Sequence, residues 1–145
     1  MMKKIINQVE ISFPARSENE GFARHAVSSF CVELDPTLDR LADLRTAVSE
    51  AVTNAIVHGY RGIPDGIVYI TVKLFDDKSV SVRIRDRGCG IADIKRAMTP
   101  LFTTDPEGER GGMGFSIMES FTDDLIVRSY LGKGTTVIMK KRLAD

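Results

Sequence analysis

No charge of either sign prevails in this chain. Its 20 Lys and Arg are matched by 20 Asp and Glu, so the formal net charge is zero, and no global field draws it to nucleic acid or to an anionic membrane. Cysteine is scarce. Cys31 and Cys89 stand far apart, outside any CxxC or Cys/His ligand spacing, which fits a reduced cytoplasmic setting better than a disulfide framework. Long apolar runs are missing too: none approaches the ~20 residues of a membrane span. The opening Met1-Met2-Lys3-Lys4-Ile5-Ile6 turns polar at Asn7, too soon for the apolar core of a signal peptide. There is no internal repeat, low-complexity tract or linker. What remains is 145 residues, 43% hydrophobic and 28% charged, a composition that argues against disorder. A chain of this size can bury roughly two-thirds of its unfolded surface. A single domain spanning 1–145, intracellular, is expected.

The apolar pattern places the elements. Val9, Ile11 and Phe13 alternate with polar residues as a half-buried strand. Ser17 with Glu20 forms a capping box, and Phe22, Ala23, Ala26, Val27 and Phe30 form the stripe of a first helix. Asp35-Pro36 reads as the start of a second, longer helix that closes at Gly59, with Leu41, Leu44, Val48, Ala51, Val52, Ala55 and Ile56 on one arc. Val68, Ile70, Val72 and Leu74, then Val80, Val82 and Ile84, read as an antiparallel hairpin turning at Asp76-Asp77-Lys78. Residues 92–112 lose the pattern, apart from a helical hint at 94–98. A short helix at 115–121 and strands at 124–130 and 135–141, joined by Gly132-Lys133-Gly134, complete the chain, and its basic end Lys140-Lys141-Arg142 reads as a solvated tail. The order β α α β β α β β predicts an α+β two-layer sandwich rather than a doubly wound sheet.

Three places hold residues that packing does not demand. Glu50, Asn54 and His58 recur every four residues on the long helix, with Thr53 beside them. That stripe fits a solvated face, yet Asn is a poor helix former and Asn54 in mid-helix calls for a reason. His58 suits a favourable charge at the helix C-terminus better than a metal site. Second, period two puts Asp86 on the same inward face as Val82 and Ile84. A buried carboxylate needs partners; it either caps its own turn or meets a ligand, and Gly88-Cys89-Gly90 beyond it permits a sharp or close backbone. Third, Gly108-Glu109-Arg110-Gly111-Gly112-Met113-Gly114 opens the short helix. Such a loop presents backbone N–H groups suited to phosphate, although a plain surface loop has the same composition. It has neither the preceding strand nor the third glycine of a dinucleotide fingerprint. Gly132-Lys133-Gly134-Thr135 is no P-loop, and reads as a hairpin turn.

In chain order, Glu50-x-x-x-Asn54 on a helix, Asp86-x-Gly88-x-Gly90 after a strand and Gly112-x-Gly114 before a helix resemble the asparagine box and two glycine boxes of a known ATP-binding fold. That fold is shared by gyrases, heat-shock chaperones, mismatch-repair ATPases and histidine kinases (GHKL; the Bergerat fold), a two-layer sandwich with a mixed, mostly antiparallel sheet. Ser49-Glu50-Ala51-Val52-Thr53-Asn54-Ala55 with His58-Gly59-Tyr60, then Pro100-Leu101-Phe102-Thr103-Thr104, is similar to the anti-sigma serine kinases of spore-forming bacteria, almost from end to end. The resemblance implies ATP and Mg²⁺ as cofactors, Glu50 as general base, and Asn54 as the Mg²⁺ ligand. It implies that Asp86 accepts the adenine amino group, with Gly88 and Gly90 close to the base. Residues 99–112 would form a lid, with Thr53, Thr103, Thr104, Arg110, Gly112, Met113 and Gly114 about the phosphates. Cys89 departs from the aliphatic residue expected there.

The same resemblance implies the partners. These are an RNA polymerase sigma factor of the sigma F type, held inactive, and an anti-anti-sigma factor as serine phosphoacceptor, with Arg24 of the first helix contacting both. No segment here matches the phosphoacceptor hairpin of a histidine kinase, so the acceptor is expected in trans. A homodimer through the free sheet edge or the first helix is expected, with no direct nucleic-acid or membrane contact. A stress-type anti-sigma kinase, or a non-catalytic ATP-dependent binding module, would share these motifs.

Overall fold

The computed structural model describes residues 3–61, 63–91 and 114–145. Strand β1 (Ile5–Pro14) is followed by helix α1 (Asn19–Cys31), a 3₁₀ turn (Val32–Leu34) and helix α2 (Leu38–Thr53), which widens into a π-helical turn (Asn54–Gly59). Strands β2 (Ile67–Phe75) and β3 (Ser79–Asp86), helix α3 (Gly114–Ser120), and strands β4 (Asp124–Tyr130) and β5 (Gly134–Arg142) complete the order. The sheet runs β1-β2-β3-β5-β4. All four described pairings are antiparallel, so the expected sandwich stands and no parallel pair occurs among the described strands.

Alternation makes the two layers. Val68, Ile70, Val72 and Leu74 of β2, Val80, Val82 and Ile84 of β3, and Val137 and Met139 of β5 point inward and join Ala23, Val27, Leu44, Val48, Ala51, Val52 and Met118 from the helices in one core. On the opposite sheet face Glu10, Thr71 and Arg83 stand in register across three strands, and Ile138 continues the row on β5. The β2–β3 hairpin turns where expected, and Lys78 takes the left-handed conformation (φ 67°) while its N–H donates to Phe75 O at 3.1 Å.

Several local expectations give way to tertiary contacts. Ser17 does not cap α1: Glu18 stands at the cap without a side-chain bond, and the Glu20 carboxylate instead accepts from the Ser49 hydroxyl on α2. Phe22 leaves the core stripe and is 59% exposed. The second helix starts two residues after the expected cap, at Thr37, whose Oγ1 accepts from Arg40 N at 3.4 Å, while Asp35 is left-handed. Lys140-Lys141-Arg142 is no tail but the end of β5, with Lys141 and the following Leu143 buried. The helical hint at 94–98 lies outside the described residues.

Candidate functional site

The end of β3 carries the chemistry. Asp86 follows Val82 and Ile84 inward and is 5% exposed. Burial raises its carboxyl above the ordinary carboxylate value, opposed by hydrogen bonds from the Gly88 and Thr135 backbone. Both bonds fall on Oδ1, from Gly88 N at 2.9 Å and Thr135 N at 3.3 Å. Among the described residues Oδ2 accepts none. The two roles open to Asp86 therefore coexist: one oxygen closes its own turn and the other is available to a donor.

Backbone packing around this carboxylate is close. Gly59, at the end of the π-helical turn, lies against it: a Cβ there would stand 2.7 Å from Oδ2. A Cβ on Gly88 would come within 1.7 Å of Gly59 O, to which Cys89 N donates at 2.7 Å. Gly90 is left-handed (φ 77°), and a Cβ on it would meet Tyr130 O at 2.3 Å. The chain's own backbone thus requires both glycines, Gly88 at the end of α2 and Gly90 at the β4–β5 hairpin. Cys89, between them, is exposed and its thiol donates to His58 O at 3.2 Å. Tyr60 locks the arrangement, its hydroxyl donating to Ile67 O at 2.5 Å and accepting from Arg87 N at 2.7 Å.

The first and third motifs also meet. Asn54 begins the π-helical turn, and a Cβ on Gly114 would stand 2.8 Å from its Nδ2 and 3.1 Å from its Oδ1. The start of α3 is therefore seated on the Asn54 amide. Thr53, one residue earlier, bonds its hydroxyl back to Ser49 O at 2.8 Å, a contact that loosens the helix ladder. The π-turn ends the regular spacing that would have kept His58 on one stripe with Glu50 and Asn54, a widening common at functional sites. Glu50 is half-buried one turn before Asn54. Arg24 on α1 is held at 3.7 Å from Glu20, which Ser49 ties to α2.

The structure thus brings Asp86, Gly88, Gly90, Asn54 and Gly114 around the end of α2, and puts Arg24 beside Glu50 on the α1–α2 side. Thr103, Thr104, Arg110, Gly112 and Met113, with the whole 99–112 stretch, lie outside the described residues. Thr135 is a site residue that the motifs missed, and Gly59 and Tyr60, part of the resemblance, carried no assigned role in the sequence. Thr135 pairs directly with Asp86 across β3 and β5, and its hydroxyl lies 2.8 Å from that of Ser129. Only strand register could have found it, since it reads locally as part of a turn.

These residues fit an adenine nucleotide. A carboxylate oxygen on a buried side chain, with no donor among the described residues, suits an exocyclic amine, and a side-chain amide one helix turn from a carboxylate suits an Mg²⁺ ion that keeps most of its ligands from water and phosphate.

Comparison with known proteins agrees. The family described as the histidine kinase-like ATPase domain matches residues 13–141. The anti-sigma F factor of Geobacillus thermodenitrificans is 55% identical over 138 residues, covering 95% of this chain and 94% of the relative. The anti-sigma F factor of Geobacillus kaustophilus is 56% identical with the same coverage. Among solved structures, that of the RsbU and RsbW domains of Rv1364c from Mycobacterium tuberculosis shares the fold. Its TM-score is 0.69 at 21% identity, over 94% of this chain and 32% of that one. By fold, by motif geometry and by similarity along nearly its whole length, the chain belongs to the anti-sigma F factors, a group within the histidine kinase-like ATPase domain family.

Proposed function

We propose that this chain, as one domain spanning 1–145, is a cytoplasmic anti-sigma factor and ATP-dependent protein serine kinase. It would sequester a sigma factor of the sigma F type and phosphorylate a serine of an anti-anti-sigma factor. The relatives' name favours sigma F over a stress-type sigma factor. The observation that carries the nucleotide reading is Asp86 Oδ2, an acceptor on a side chain only 5% exposed, to which no described residue donates.

Each residue then has a task. Asp86 accepts a hydrogen bond from the adenine amino group and so prefers adenine to a base that presents a carbonyl there. Asn54 offers its amide oxygen to Mg²⁺. Gly114, pressed on Asn54, brings the start of α3 to the same place, and Thr53, Thr103, Thr104, Arg110, Gly112 and Met113 join the phosphate site by motif. Bound ATP with Mg²⁺ supplies the phosphoryl group, and transfer of this kind depends on positioning and charge neutralisation. Glu50 takes the proton from the acceptor serine hydroxyl as it attacks. Arg24 meets the protein partners, and a homodimer uses the free β1 edge or α1.

The test is transfer of label from radiolabelled ATP to an anti-anti-sigma factor. Glu50→Ala is expected to keep nucleotide affinity and to lose transfer by about 10²–10⁴-fold. Undiminished transfer removes Glu50 from the mechanism, and absent transfer by the unmutated protein leaves a non-catalytic ATP-dependent binding module.

A further inference from the structure

Glu50 stands at one end of an open groove of about 320 Å³ between α1 and α2, lined by Arg24, Ala42, Arg45, Thr46, Ser49 and Glu50. Two guanidinium groups enter it from different helices. The Nε atoms of both Arg24 and Arg45 are buried and lack a hydrogen-bond partner. Buried donors are almost always satisfied, because leaving one unmade forfeits the hydrogen bond it made to water. Arg24 has a partial claim on Glu20, at 3.7 Å through Nη1. Arg45 forms no ion pair or hydrogen bond with any described residue. Glu20 turns Oε1 to both the Ser49 hydroxyl and Arg24, and makes no ion pair with Arg45. The groove therefore contains donor capacity that the described residues do not use.

We propose that this groove docks the serine-bearing protein through an acidic side chain close to its acceptor serine, with Arg45 as the principal carboxylate-binding residue and Arg24 beside it. The inference rests on the kinase reading above and adds a second docking residue to it. A guanidinium presents a planar fork matched to a carboxylate, and Ala42 and Thr46 leave room for the approach. Continuity with Glu50 selects the occupant. Whatever fills the groove passes the general base, so the acid and the serine belong to the same protein and lie within the length of the groove.

Steady-state transfer from ATP to an anti-anti-sigma factor tests this, varying each substrate in turn, with melting curves to confirm folding. Arg45→Glu is expected to raise the acceptor KM by about tenfold or more while the ATP KM and melting temperature stay within error. Arg45→Lys keeps the charge without the fork and should recover part of the loss. An acid-to-arginine change near the acceptor serine should restore binding to Arg45→Glu. An unchanged acceptor KM overturns the proposal, as does a rise confined to the ATP KM or a loss confined to sigma-factor capture. If the unmutated protein transfers no phosphate, the kinase reading falls separately. Equilibrium binding of the same acceptor to the unmutated protein and to Arg45→Glu then decides the groove: weaker binding supports it and equal binding overturns it.

Discussion

The C-terminal end of α2 and its middle are built on opposite terms. At the C-terminal end, the π-helical turn, the β3 terminus and the β4–β5 hairpin are pressed together backbone to backbone, with glycines where any side chain would collide. Gly88 N and Thr135 N both donate to Asp86 Oδ1 there, and among the described residues Oδ2 accepts from none. Along the middle, where α1 crosses, the groove is open and two guanidinium nitrogens are unsatisfied. A rigid junction suits a small ligand that must be held at one angle. An open, donor-rich groove suits a macromolecule that supplies its own acceptors. Glu50 lies between the two regions, where a phosphoryl donor and an acceptor would meet.

The contrast can be broken most forcefully at Gly88. Adding one methyl there drives it into Gly59 O, so Gly88→Ala should destabilise the fold by about 3 kcal/mol or more, seen as a lowered midpoint in denaturant melts. A near-neutral result would mean that the junction yields and does not fix Asp86.

Next in size is Asp86→Asn, which replaces a charged acceptor and should weaken adenine-nucleotide binding by about 10–100-fold in calorimetry. Stability should move the other way. Burial raises the folded-state pKa of Asp86, so the folded chain binds its proton more tightly than the unfolded chain. The stability Asp86 contributes is present below the ordinary carboxylate value and is lost as pH rises through the raised value. Nucleotide-free Asp86→Asn should therefore gain on the unmutated protein as pH rises through that interval, measured as the difference between their melting temperatures at each pH. A constant difference would remove the desolvation argument.

The smallest effect concerns Tyr60. Tyr60→Phe removes the hydroxyl that joins Ile67 O to Arg87 N and should cost about 1–2 kcal/mol, with a matching loss of nucleotide affinity if the β3 end shifts. Lost stability with unchanged affinity would show that Asp86 is held by Gly88 and Thr135 alone.

Much of the fold was legible because alternation and helical periodicity are local consequences of burying one face. The inward aim of Asp86 followed from Val82 and Ile84 for the same reason. Helix starts were less legible: Ser17 and Glu20 matched a capping box, but Glu20 found a stronger use across the α1–α2 contact with Ser49. Thr135 was hidden because its partner lies 49 residues away in sequence. Asn54 was visible as an oddity in a helix, while the π-turn that begins there was not, since its i−5 bond from Tyr60 N to Ala55 O has no residue-level signature.

By itself the sequence determined which residues turn inward, the order of helices and strands, and the three motifs that mark the ATP-binding family. Those are set by side-chain chemistry and by spacing along one segment. Only the tertiary structure decided that Gly88 and Thr135 both donate to one Asp86 oxygen while no described residue donates to the other, that Gly88 and Gly90 are required by neighbouring backbone, and that two guanidinium groups share a groove beside Glu50. Such facts depend on where distant segments come into contact, and hydrogen bonds and steric limits act across space rather than along the chain.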